Sequence, residues 1–118
     1  FVADEDIQYF LNGCEVCVLP YRTMTTSGAA ILSLSFGKPV IAPRIGGFPC
    51  LLEKGGGLLY DPEGNGLSCA LAQAREMDLK AASTRAFSLA RGLDWAPIAR
   101  QHLAVYEKLA GRSRAQQC

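Results

Sequence analysis

The fold is decided by residues 16–52, which read VCVLPYRTMTTSGAAILSLSFGKPVIAPRIGGFPCLL. One apolar run ends at Tyr21 and a second fills residues 39–43. Between them, an apolar helical segment begins at a Thr-Thr-Ser-Gly group and stops at Gly37. Strand, helix and strand in this order predict a βαβ unit with parallel strands. We therefore expect an α/β fold whose small parallel sheet is covered by helices on both faces.

The same stretch contains no Asp or Glu, although the whole chain has 11 acidic residues against 12 Lys and Arg. In an open parallel sheet, ligands bind where loops leave the carboxyl ends of the strands. Two such loops occur, at residues 22–28 and 44–48, and they border one crevice if the strands are neighbours. A helix N-terminus with hydroxyl side chains, a glycine and no nearby carboxylate suits an anion such as phosphate.

We predict that both loops contribute contacts to this anion. The candidate binding residues are Thr25, Thr26, Ser27, Gly28, Ala29, Arg44, Gly46 and Gly47. At Gly28 the missing Cβ would let a phosphate oxygen approach the main chain closely. The alternative reading of the hydroxyl residues is ordinary helix capping, worth about 1 kcal/mol. The glycine pair can equally form an ordinary turn, and Arg44 can be a solvated surface charge.

The rest of the chain is predicted as short elements followed by helices. The expected elements are a helix over residues 5–12 capped by Asp4, a strand over 14–21, a brief helix over 48–54, a strand over 58–60, helices over 67–77 and 79–91, and a last helix opening at residues 94–97. A stripe on that last helix comprises Ala99, Leu103, Tyr106 and Ala110. We expect the helix after Gly28, apolar almost all round, to be buried on most sides. A doubly wound sheet normally has more than three strands, so the first strands are expected to lie outside this chain.

Composition argues against several classes of function. The net charge of +1 gives no general affinity for nucleic acid or membranes. No apolar run approaches the ~20 residues that span a bilayer. The chain begins at Phe1 without a secretory signal, so we expect a cytoplasmic piece cut from a longer protein.

The five cysteines show no clear catalytic or metal-binding pattern. Cys14 and Cys17 have the CxxC spacing, but they lead into an apolar strand and not into an exposed helix N-terminus. We therefore expect partly buried thiols and not a redox pair. The single histidine, His102, and the lack of a second close cysteine pair argue against zinc. We assign no catalytic role to His102.

Five short motifs follow one another along the chain. They are CEVCVLP at residues 14–20, GKPVIA at 37–42, Gly46-Gly47, GLLYDP at 57–62, and Asp94-Trp95 followed by Val105-Tyr106. In this order they resemble the C-terminal nucleotide-sugar-binding domain of retaining glycosyltransferases with the GT-B fold, the glycosyl transferases group 1 family. The resemblance implies a partial, Rossmann-like, three-layer αβα domain over residues 1–110, followed by a polar tail over residues 111–118.

The resemblance also implies an activity, the transfer of a sugar from a nucleoside-diphosphate donor to an acceptor without a metal ion. It implies that residues 25–29 contact the donor phosphates and sugar, that Phe1 and Val2 lie near the base, and that residues 44–47 line the cleft. The implied partners are the donor and an N-terminal domain of the same protein. Nucleic acid is not among them, and any peripheral membrane association belongs to the parent enzyme. The isolated chain should be inactive, because half of the cleft and the acceptor site are absent.

In two places the sequence departs from the family pattern. The family carries two glutamates with seven residues between them, and these positions align with Met24 and Leu32. Neither side chain can replace a carboxylate that contacts the donor sugar or the ribose. The hydroxyls of residues 25–27 could supply contacts instead, as a subfamily variant. The alternative is a non-catalytic binding or assembly module with a degenerate site. A nicotinamide-binding domain is disfavoured, because no GxGxxG follows a strand and opens a helix.

Overall fold

A computed structural model of the chain describes residues 2–115. Its three strands are β1 (Cys17–Val18), β2 (Val40–Pro43) and β3 (Gly57–Tyr60). They form one parallel sheet in the order β1-β2-β3. After a 3₁₀ turn at Asp4–Asp6, the helices are α1 (Ile7–Gly13), α2 (Gly28–Ser35), α3 (Phe48–Leu52), α4 (Gly66–Arg75), α5 (Leu79–Gly92) and α6 (Trp95–Ala115). The predicted parallel βαβ unit is confirmed by β1, α2 and β2.

The central strand β2 organises the core, since all four of its residues are buried. On one side it packs against α2, α3 and α5, through a cluster that includes Leu34, Phe48 and Leu52. On the other side Ile41 packs with Tyr60 and with Ala70 of α4. Helices therefore cover both faces, as the predicted three-layer α/β fold requires. Each fully buried side chain of this size contributes about 1.5–3 kcal/mol.

The ends of α2 are fixed by its own sequence. At its start, the Ser27 side chain accepts a hydrogen bond from the backbone N–H of Ala30, at 3.1 Å. At its end, Gly37 has φ +68, and its N–H donates to the Leu34 carbonyl at 2.9 Å. Only a residue that tolerates positive φ ends a helix in this way at low cost. The predicted stop at Gly37 is therefore confirmed, and the helix begins at Gly28.

Three expectations about the N-terminal half are wrong. The first strand covers only Cys17–Val18 and not residues 14–21, because it lies at the edge of the described sheet and pairs on one side alone. The outer face of α2 is not buried: Ile31 is 43% exposed and Leu32 is 39% exposed. Asp4 caps no helix, because a 3₁₀ turn precedes α1 and Ala3 stands before that turn.

The last helix, α6, projects from the domain. It continues past Gly111 to Ala115, into the segment expected to be a polar tail, of which residues 116–118 lie outside the described part. Its apolar stripe is exposed, with Leu103 and Tyr106 both more than half accessible to solvent. Among the described helices, none is long and apolar enough to cross a membrane.

Candidate functional site

The first loop of the site runs from β1 into α2 and ends in a row of free N–H groups. Ser27 is only 8% exposed, and its side-chain oxygen accepts a hydrogen bond from the N–H of Ala30. The N–H of Ile31 donates to the Ser27 carbonyl at 3.3 Å. Within the described residues, the N–H groups of Ser27, Gly28 and Ala29 have no protein acceptor. They are the donors that the first turn of a helix leaves unpaired. Gly28 and Ala29 are exposed to solvent, whereas Ser27 is buried.

The second loop, residues 44–48, touches the first loop directly. The N–H of Gly47 donates to the Thr25 carbonyl at 3.0 Å. A Cβ at Gly47 would lie 2.8 Å from the same oxygen, and a Cβ at Gly46, whose φ is +52, would strike the Met24 carbonyl. The two glycines therefore allow the loops to pack backbone against backbone. Gly47 is one of the predicted anion-binding residues, and its N–H is already used in holding the loops together.

Arg44 is held beside the site by both its main chain and its side chain. Its N–H donates to the Tyr60 carbonyl at 2.7 Å. Its guanidinium lies 3.0 Å from a carboxylate oxygen of Glu53, and more than half of each side chain is exposed. An exposed ion pair of this kind contributes at most about 1 kcal/mol. The Glu53 carboxylate thus partly neutralises the Arg44 guanidinium, which weakens the attraction of Arg44 for an anionic ligand.

The sequence reasoning missed Glu53, because it lies just beyond the stretch that lacks acidic residues. The signal that could have found it is the short helix α3, which begins directly after Gly47. A helix rises only about 1.5 Å per residue, so the five residues of α3 leave Glu53 within reach of Arg44. Residues 16–52 contain no carboxylate, but in the folded chain the carboxylate of Glu53 lies next to this stretch.

Two hollows flank the start of α2. One, of about 130 Å³, lies between the two loops and is lined by Met24, Thr26, Ser27, Ile31, Gly47, Phe48 and Leu51. The other is an apolar groove of about 260 Å³ between α1, β1 and α2, and its lining includes Phe10, Leu19, Ala29 and Leu32. Met24 and Leu32, the positions that the resemblance matches to the family glutamates, therefore face different hollows. Ser27 borders the first hollow and Ala29 the second.

Of the remaining predicted residues, Thr26 lines the hollow between the loops. Thr25 and Thr26 are exposed, so their hydroxyls are open to a ligand. Val2 lines the apolar groove, whereas Phe1, which the resemblance places near the base, lies outside the described residues. His102 is exposed on α6. In the described part of the chain, no three His, Cys, Asp or Glu side chains cluster as metal ligands would.

Two groups in the described part of the chain have shifted pKa values. Burial raises the pKa of the Tyr60 phenol. Burial also raises the pKa of the Cys14 thiol, and the neighbouring Cys17 adds to this effect while Lys38 opposes it. Cys14 and Cys17 are both half-buried, which agrees with the expectation of partly buried thiols.

Comparison with known sequences decides the family. The sequence profile described as "Glycosyl transferases group 1" matches residues 1–77. The chain belongs to this family. A GDP-mannose:glycolipid 4-beta-D-mannosyltransferase from Xanthomonas campestris pathovar campestris is 30% identical over 103 residues, which cover 86% of this chain and 29% of that protein. A second protein of the same name and pathovar is 29% identical over 103 residues, with the same coverage.

A solved structure supports the same conclusion for the fold. Sucrose-phosphate synthase from Thermosynechococcus elongatus superimposes with a TM-score of 0.75 at 26% sequence identity. The superposition covers 94% of this chain and 29% of the synthase. The predicted Rossmann-like fold of a partial GT-B domain is confirmed. The chain spans less than a third of the length of each relative described above.

Proposed function

We propose that this chain is the donor-binding part of a glycosyltransferase, which transfers a sugar from a nucleoside diphosphate to an acceptor. Membership of the glycosyl transferases group 1 family supports the reaction class. The observation that carries donor binding is the row of N–H groups at Ser27, Gly28 and Ala29, which have no acceptor within the described residues. A helix N-terminus of this kind attracts phosphate through both its N–H groups and its dipole.

The chemistry follows from where charge develops. When the bond between the anomeric carbon and the phosphate oxygen breaks, negative charge accumulates on the leaving diphosphate. Donors that are already oriented stabilise this charge without reorganising. A hydrogen bond to a charged group contributes about 1.5–3 kcal/mol, whereas the exposed Arg44 can add only about 1 kcal/mol or less. The backbone of α2 therefore supplies the larger share of the stabilisation, and Arg44 the smaller.

The names of the relatives suggest which ligand to test first. Both Xanthomonas proteins are named for GDP-mannose as donor and a glycolipid as acceptor. We accordingly propose GDP as the first nucleotide to titrate and a lipid-linked sugar as the acceptor class of the whole protein. An acceptor of that class would bring the parent enzyme to a membrane surface as a peripheral protein.

Calorimetric titration of the 118-residue chain tests donor binding. GDP, UDP and ADP are titrated separately, and inorganic pyrophosphate is the matched control that lacks a nucleoside. Saturable binding of one nucleotide, tighter than that of pyrophosphate, is expected. Binding of none of these ligands would contradict the proposal.

The second candidate function is a non-catalytic module that kept the fold and lost the donor site. The observation that favours it is the apolar character of both positions that align with the family glutamates. Met24 packs against the core, and Leu32 lines an apolar groove. The two candidates differ in the whole protein, which should transfer sugar from GDP-mannose if the first is right and should not if the second is right. The isolated chain should show no turnover, and appreciable turnover would disprove the idea that it is only part of a cleft.

A further inference from the structure

Cys14 and Cys17 form a close thiol pair outside the candidate donor site. Their sulfur atoms are 3.9 Å apart, in hydrogen-bonding contact with each other. Cys14 directly follows the last residue of α1, and Cys17 is the first residue of β1. A disulfide bond is about 2 Å long, so the two sulfur atoms need to approach by roughly 2 Å to bond.

We propose that Cys14 and Cys17 are a reversible dithiol–disulfide pair, which ties the end of α1 to the start of β1. The CxxC spacing was expected to give only partly buried thiols, because the pair does not stand at an exposed helix N-terminus. The added observation is the direct contact between the two sulfur atoms. Once one cysteine reacts with a small disulfide, the other is already in place to displace the adduct.

The oxidant for this reaction is a small-molecule disulfide such as oxidised glutathione, which reacts by thiol–disulfide exchange. The thiolate of one cysteine attacks it, forms a mixed disulfide and releases one glutathione. The thiolate of the second cysteine attacks the mixed disulfide, closes the bond between Cys14 and Cys17 and releases the second glutathione. The two cysteines lose two electrons and two protons, and these reduce one oxidised glutathione to two thiols.

The tie would act on a loosely packed part of the fold. No residue of α1 is buried, while Cys17 packs against the main core cluster and pairs with Val40 of β2. Phe10 and Leu11 of α1 line the apolar groove together with Cys17. Closing the disulfide would therefore fix one wall of this groove against the other.

Peptide mapping of the oxidised chain tests the bond. The reduced chain is incubated with oxidised glutathione, acidified, and cleaved after glutamate without a reducing agent. Cleavage after Glu15 separates Cys14 from Cys17, so the two peptides stay joined only through a disulfide. Because the second peptide, residues 16–53, also contains Cys50, the joined pair must be absent from Cys17→Ser. The variants Cys14→Ser and Cys17→Ser are the matched controls, because each lacks the second thiol and should trap glutathione on the first.

The expected result is a joined peptide pair in the unsubstituted chain. Its glutathione adduct at this pair should be about ten-fold lower than in either variant, because the second thiol displaces it. Hydrogen exchange in α1 should also slow on oxidation. The proposal is overturned if the unsubstituted chain keeps adducts as the variants do. It is also overturned if no joined pair forms while the exposed Cys50 and Cys69 react, or if the exchange of α1 is unchanged in the oxidised chain.

Discussion

Replacing Gly28 by alanine separates its part in folding from its part in binding. A Cβ at Gly28 would meet no atom within 4 Å, and the residue does not have positive φ. Alanine therefore fits without strain and leaves the unfolded chain fewer conformations. The free energy of unfolding should rise by about 0.5–1 kcal/mol. The same methyl group would stand where a phosphate oxygen must approach the N–H groups of α2, so nucleotide binding should weaken.

The loss of affinity can be estimated from one contact. A hydrogen bond to a charged group contributes about 1.5–3 kcal/mol, so losing one should weaken GDP binding at least roughly ten-fold. Urea denaturation measures the stability, and calorimetric titration with GDP measures the affinity. Gly92→Ala is the matched control, because its Cβ also meets nothing within 4 Å and it ends α5. An unchanged GDP affinity in a stabilised Gly28→Ala protein would refute the close approach of phosphate to this backbone.

Three further substitutions test the local structure by urea denaturation. Gly46→Ala should lower the free energy of unfolding by about 1–3 kcal/mol, because φ is +52 and the Cβ would strike the Met24 carbonyl; unchanged stability would contradict the packing of the two loops. Ser27→Ala should cost about 1 kcal/mol through the lost cap, and a cost near zero would show that the cap does not form in solution. Burial raises the pKa of Tyr60 above its ordinary value of 10.0, so the unfolded chain loses this proton first. The stability contributed by the protonated phenol is present below that value and is lost as the pH rises through the folded-state pKa. Tyr60→Phe should reduce the loss of unfolding free energy at alkaline pH. An equal loss in both proteins would contradict this prediction.

The parts of the fold that the sequence predicted are those with local signals. Gly37 marks the end of α2 through its own positive φ, and the uniformly apolar residues of β2 indicate a strand covered on both faces. The length of β1 and the exposure of Ile31 and Leu32 could not be predicted in this way. They depend on which elements lie next to β1 and α2, and a single stretch of sequence does not contain that information.

In the candidate site, too, some features could be predicted from the sequence and others could not. The meeting of the two loops follows from topology, because neighbouring parallel strands end at the same edge of a sheet. The contacts within the site do not follow from topology. The bond from Gly47 to the Thr25 carbonyl and the ion pair of Arg44 with Glu53 depend on the path of the chain after each strand. Two of the predicted binding residues, Gly47 through its N–H and Arg44 through its guanidinium, therefore also have protein partners, and their contacts with a ligand stay predictions.

The most direct test of donor binding is a titration of the isotope-labelled chain with GDP, followed through its backbone amide resonances. Saturable shifts should be concentrated at Ser27, Gly28 and Ala29, while the amides of α5 keep their positions. GDP binding that leaves these three resonances unmoved, or that shifts the amides of α5 instead, would contradict the assignment of the donor diphosphate to the start of α2.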